Sequence, residues 1–141
     1  MPQFSESIEI KRSPEEVWRA ISTPERWLEG YLESRQRSPE YPAAGATDER
    51  LYRTRMKEEV RAQITRSEAP SSLVEEQEGK TFSRRARYSL SPSATGTHVQ
   101  VDDDFTLKGV AKLAAPLASR DVKGRWARSL QRLKAVVEEH E

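Results

Sequence analysis

Two residues of this sequence place a charge where a charge is costly. Along the run Thr81 to Leu90, Phe82, Arg84, Ala86, Tyr88 and Leu90 share one parity; along Thr97 to Leu107, so do Val99, Val101, Asp103 and Phe105. Successive side chains of a strand point to opposite faces. The apolar majority marks the inward face, so Arg84 and Asp103 point inward with it. An inward charge needs a partner, and positions on neighbouring strands let these two pair diagonally. Such a pair can be a polar anchor that orients a ligand's carbonyl, hydroxyl or carboxylate. Alternatively it is a structural ion pair, or a rim position reaching solvent.

Other chemistries have little to build on. There are no cysteines among the 141 residues, which excludes disulfides, thiolate metal sites and a cysteine nucleophile. His98 and His140 are the only histidines. Neither has a second histidine at ligand spacing, so no metal site and no Ser-His-Asp triad is expected. In Asp102-Asp103-Asp104, alternation sends the middle carboxylate to the opposite face, which argues against a shared metal. There is no Gly-rich phosphate loop, and no cofactor is expected. The net charge of +1 gives no global basic field for nucleic acid. Met1-Pro2-Gln3-Phe4 lacks an apolar signal region, and no apolar run approaches the roughly 20 residues of a membrane span. The expectation is a cytoplasmic protein with one domain over residues 1–141.

The elements that must position these residues follow from periodicity and caps. Phe4 to Lys11 alternates as a half-buried strand. Ser13-Pro14-Glu15-Glu16 is a helix start: an N-cap, a proline at the first helical position and a Glu three residues after the Ser. Val17, Trp18 and Ile21 supply its apolar stripe. Thr23-Pro24-Glu25-Arg26 repeats the start signal and predicts a second short helix over Trp27, Leu28 and Tyr31. Ser38 to Thr47 reads as a loop. Strands are expected over Glu33–Arg37, Arg50–Met56, Glu59–Arg66, Leu73–Gln77, Thr81–Leu90 and Thr97–Leu107. In Arg50–Met56, Tyr52, Thr54 and Met56 share a side opposite Arg53 and Arg55. The connections are hairpin-like, so the sheet is antiparallel. If Tyr88 faces Val101 and Leu90 faces Val99, then Arg87 meets Asp102 and Arg85 meets Asp104 on the other side. One register thus pairs both the apolar residues and the charges. From Val122 the period changes: Trp126, Leu130, Leu133 and Val137 mark an amphipathic helix of roughly 36 Å at 1.5 Å per residue.

In this order of elements the chain resembles the START-like superfamily, also called SRPBCC or polyketide cyclase/dehydrase-like. The resemblance rests on Ile8-Glu9-Ile10-Lys11-Arg12-Ser13-Pro14-Glu15-Glu16-Val17-Trp18, on Ser22-Thr23-Pro24-Glu25-Arg26-Trp27, on Gly96-Thr97-His98-Val99, and on Leu130-x-x-Leu133-Lys134. It covers essentially the whole chain. It implies an α+β helix-grip fold: a curved antiparallel β-sheet wrapped around a long C-terminal α-helix, with two short helices between the first and second strands. It also implies a cavity between sheet and helix that takes a lipid, a polyketide or another apolar molecule.

The candidate ligand-binding residues are Trp27, Tyr31, Tyr52, Arg84, Tyr88, Val101, Asp103 and Trp126. Tyr and Trp join apolar bulk to a hydrogen-bonding tip, which suits amphipathic ligands; plain core filling is the alternative. Three functions are open. The chain binds or carries a small hydrophobic or amphipathic molecule; or it is a cyclase/dehydratase-type enzyme using Tyr88, Arg84 or Asp103; or it is an interaction module with a filled core. The segment Lys108–Arg128 mixes basic residues with Val110, Leu113, Leu117 and Trp126, and so admits a membrane or protein contact as well as a solvated basic face. A monomer and a homodimer are equally compatible with the sequence. The polar strands Glu33–Arg37 and Glu75–Glu78 point to a pocket that is small, polar at one end, or collapsed.

Overall fold

The computed structural model describes residues 3–53 and 56–139, with the backbone alone at 110, 111 and 114–119. Thr54, Arg55 and His140 lie outside the described residues, as do the side chains of Val110 and Leu117.

Strand β1 (Gln3–Ile10) leads into helix α1 (Pro14–Ile21). Ser13 is extended and its Oγ accepts from the Glu16 backbone N–H at 3.3 Å, so the predicted cap is formed. Val17 and Ile21 are buried. The predicted second helix is not formed: only a 3₁₀ turn, Pro24–Arg26, follows. Thr23 makes no capping bond; its hydroxyl donates to the Ala20 carbonyl at 3.1 Å instead. Without that cap the turn ends at Trp27, and the chain reverses at Gly30, where φ is +94°. Tyr31 therefore opens a strand rather than closing a helix.

That strand, β2 (Tyr31–Arg37), is followed by β3 (Thr47–Arg53), β4 (Lys57–Glu68), β5 (Ser72–Glu78), β6 (Phe82–Ser93) and β7 (Gly96–Leu107). The seven strands form one sheet in the order β1-β7-β6-β5-β4-β3-β2, with every pairing antiparallel. The hairpin register matches the charge argument: Tyr88 faces Val101, Leu90 faces Val99, Arg87 faces Asp102 and Arg85 faces Asp104. β3 begins and ends three residues before its predicted span. Arg53 pairs with Lys57, so Met56 lies outside both strands. Met56 is accordingly 60% exposed rather than on the Tyr52 face.

After a 3₁₀ stretch (Gly109–Ala114), helix α2 (Ala115–Glu139) closes the concave side of the sheet. Val122, Trp126, Leu130, Leu133 and Val137 are all buried, as their spacing requires. Burying one such side chain stabilises by about 1.5–3 kcal/mol. The helix backbone runs close to β1 and α1; farther along the sheet, long side chains bridge the gap. Its last turn is tied to the end of β1, since Glu138 accepts from the Lys11 N–H at 2.8 Å. Near its middle, Ser129 Oγ accepts from the Glu29 N–H at 2.9 Å. Among the described residues no helix is long and apolar enough to cross a membrane.

Candidate functional site: a polar floor under the C-terminal helix

The concave face can be read in rows across the strands. In one row Ile64, Glu75, Ala86, Asp103 and Phe4 are successive neighbours. In the next, Asp48, Ala62, Gln77, Arg84 and Phe105 are. Each alanine thus stands between two polar residues: Ala86 between Glu75 and Asp103, Ala62 between Asp48 and Gln77. All of these except Phe4 are buried. An interior built only for stability has no need of them, because well-packed apolar residues usually serve as well as a buried ion pair or better.

Two polar clusters occupy this floor. In the first, Asp103 Oδ2 accepts from Arg84 Nε at 3.0 Å and from Trp126 Nε1 at 2.7 Å. The Arg84 guanidinium lies 4.9 Å from the Phe105 ring centre, 5.4 Å from Trp126 and 5.5 Å from Phe82. Arg84 therefore fills an aromatic cage, a favourable setting for a cation. Burial is the largest influence and opposes its charge, but Asp103 together with Tyr52 and Tyr88 overcomes it and holds the Arg84 pKa above its ordinary value.

The second cluster centres on Arg50, whose side chain is wholly buried. It bridges Asp48 at 3.0 Å and Glu75 at 3.2 Å. Glu75 also accepts from the Tyr41 hydroxyl at 2.5 Å and from Gln77 Nε2 at 2.8 Å. Asp48 accepts from Tyr31 at 2.7 Å and from Ser34 at 2.7 Å. Arg37 joins Asp48 to Glu25 at the surface. Burial alone would raise the Asp48 pKa; the Arg50 charge and the three donors overcome it and hold the carboxyl below its usual range. Burial, reinforced by Glu75, pushes the Tyr41 and Tyr88 phenols well above theirs. Tyr88 is thus a neutral hydroxyl at ordinary pH.

Between the clusters runs an aromatic chain. Trp27 meets Tyr88 edge-on at 6.1 Å, and Tyr88 meets Trp126 at 5.9 Å. The candidate residues consequently sort into groups. Trp27, Tyr88 and Trp126 are contiguous, and Val101 is the cross-strand partner of Tyr88. Arg84 and Asp103 are paired. Tyr52 packs edge-on against Phe82 and donates to the Glu29 carbonyl. Tyr31 belongs to the Arg50 cluster. Sequence reasoning passed over Asp48, Arg50, Glu75 and Gln77. Asp48 and Arg50 share the parity of Tyr52, and Glu75 and Gln77 that of Leu73, but a single apolar residue on each strand does not mark the inward face.

The floor is closely covered by side chains. Small residual exposure remains at Arg84 (7%), Glu58 (7%) and Phe105 (6%), and at Tyr31 (8%) in the Arg50 cluster. Among the described residues five buried side-chain polar atoms have no partner: Trp27 Nε1, Gln77 Oε1 and Asp103 Oδ1 in or beside this floor, Arg37 Nε toward the surface between Asp48 and Glu25, and Ser93 Oγ at the end of β6. A cleft between α1 and α2 is lined by Arg19, Ala20, Thr23 and Val136 among others and shares no residue with this floor, whereas two hollows along the sheet are bordered in part by Gln77 and Arg84 and by Asp103. The three aspartates divide as alternation requires, with only Asp103 buried. In the basic segment, Lys108 bonds Glu78 and the Gly79 carbonyl, and Arg128 bonds Glu29.

An antiparallel sheet closed by a C-terminal helix over a polar, aromatic-flanked floor defines a START-like protein of the helix-grip type. The chain belongs to the polyketide cyclase/dehydrase and lipid transport family, whose profile matches residues 1–138. A START superfamily protein from Mycobacterium smegmatis superposes with a TM-score of 0.81 at 15% identity, covering 99% of each chain. A Thermus thermophilus protein does so with a TM-score of 0.81 at 16% identity, covering 98% of each. A Mesorhizobium loti protein gives 0.76 at 17% identity over 99% of each. A comparison with curated protein sequences finds no match.

Proposed function

We propose that the protein binds a small hydrophobic or amphipathic molecule between the concave face of the sheet and α2. The apolar part of the ligand lies against Trp27, Tyr88, Val101 and Trp126, and its polar end reaches the Arg84–Asp103 pair. The observation that carries this reading is the polar floor with its orphaned atoms. A buried polar group without a partner is costly, and natural interiors seldom keep one without a reason. Here three lie in or beside one floor of a fold whose family description includes lipid transport. Entry is beside Arg84, Glu58 and Phe105, which retain a little exposure. Because Tyr88 holds its proton and Asp103 is tied to Arg84 and Trp126, binding is favoured over proton transfer.

Native mass spectrometry of the freshly purified protein tests this. The expected result is a bound small molecule that is released on unfolding. It is diminished or absent in Ala86→Val, which adds bulk between Glu75 and Asp103. A protein that carries nothing, and takes up nothing from a lipid extract, contradicts it. The close packing of the floor would then favour the reading as an interaction module acting through its surface.

A further inference from the structure

The orphaned atoms narrow the chemistry of the ligand. Gln77 stands directly across from Arg84, and Asp103 is diagonal to Arg84 on its other side. Gln77 and Asp103 are therefore neighbours of Arg84 on its two sides, and Gln77 Oε1 and Asp103 Oδ1 are both buried acceptors without a donor. The amide orientation of Gln77 is set by its neighbour: its Nε2 donates to Glu75 at 2.8 Å, so the oxygen is left over. Of the orphaned atoms in or beside this floor only Trp27 Nε1 donates, so a ligand whose polar end only accepts leaves both of these acceptors unanswered.

Charge narrows it further. Among the buried groups of the floor, Arg84 answers Asp103, and Arg50 answers Glu75 and Asp48 with help from Arg37. Glu58, also buried, adds a further carboxylate at the Arg84 end, so buried carboxylates outnumber buried guanidiniums and the floor disfavours an anion. A carboxylate has no hydrogen to give these acceptors and faces four buried carboxylates, Asp48, Glu58, Glu75 and Asp103. An ammonium would sit beside the Arg84 guanidinium.

We infer that the site, if it binds as proposed above, selects a neutral ligand bearing a hydroxyl group, with Gln77 Oε1 accepting its hydrogen; a second hydroxyl on the ligand would serve Asp103 Oδ1 in the same way. This rests on the binding reading and adds the class of ligand. Discrimination follows from the same rule that makes buried orphans costly: a site built to bond a hydroxyl rejects the analogue that lacks it.

The test is a titration followed by calorimetry, using four probes on one ring system. These are 2-naphthol, its near-isostere 2-methylnaphthalene, 2-naphthoate and 2-naphthylmethylammonium. The hydroxyl compound is expected to bind about tenfold or more tightly than the methyl compound, against the trend of their hydrophobicity, and both ions more weakly than 2-naphthol. Gln77→Met, which keeps bulk and removes the acceptor, should bring 2-naphthol several-fold closer to 2-methylnaphthalene while leaving the latter unchanged. The wild-type comparison stands even if that variant does not fold. Equal or tighter binding of 2-methylnaphthalene overturns the hydroxyl inference and leaves an apolar binding site. Tightest binding of either ion overturns it too, as does a Gln77→Met variant that folds but keeps the wild-type preference. Failure of all four probes to bind overturns the binding reading itself, leaving trapped water as the partner of these atoms.

Discussion

Arg84 sits among Phe82, Phe105 and Trp126, with Asp103 to answer its charge. Removing the answer should therefore cost more than removing the pair. Asp103→Ala strands a buried guanidinium and frees the Trp126 indole N–H, and is expected to destabilise by about 3–5 kcal/mol. Arg84→Met combined with Asp103→Leu should cost much less, and urea unfolding of the single and double variants reads the difference. Asp48 gives a pH prediction. Its folded pKa is depressed, so its stabilisation is complete above the unfolded value of about 3.9 and is lost as pH falls through the lower folded value. Asp48→Asn should flatten that part of the acid unfolding curve. At this scale the sequence was half readable. Arg84 and Asp103 stood out because apolar neighbours of the same parity fixed their face. Asp48, Arg50, Glu75 and Gln77 did not, because their strands are so polar that no apolar majority marks an inward side. Only the sheet partners decide it.

Elements follow the local chemistry where a cap or a turn is complete. The Ser13 cap is such a case, and Ser13→Ala should cost about 1 kcal/mol in thermal or urea unfolding. The failure at Trp27 is the converse. Thr23-Pro24-Glu25 has the letters of a helix start, yet the Thr23 hydroxyl bonds backward to Ala20 and the cap is never made. Nothing in the residue types tells a threonine which way to bond. Gly96 opens β7 in tight contact with the end of β1: a Cβ there would lie 2.2 Å from the Ile10 carbonyl oxygen. Gly96→Ala should push the first and last strands apart and cost more than about 1 kcal/mol. The hairpin register was legible because apolar and charged pairs demanded the same alignment. β3 was misplaced by three residues because its outer half, Thr47-Asp48-Glu49, looks like loop until its partner β4 is known.

At the scale of the whole molecule the antiparallel pairing, the long C-terminal helix and the family agree with what the hairpin-like connections, the helix period and the resemblance imply. What sequence could not show is how the space between sheet and helix is used. That depends on which long side chains from distant elements meet, and here Trp27, Tyr88 and Trp126 meet over a polar floor. The central claim is that this floor, and not the surface, receives the ligand. The side-chain N–H signals of Trp18, Trp27, Trp126 and Gln77 in ¹H–¹⁵N correlation spectra, followed during a titration with 2-naphthol, test it most directly. Trp27 and Trp126 flank Tyr88, Gln77 lies on the floor, and Trp18 sits half-buried on α1. The account predicts that the Trp27, Trp126 and Gln77 signals move together and saturate while Trp18 stays in place. Movement of Trp18 with Trp27 and Gln77 unchanged would contradict it.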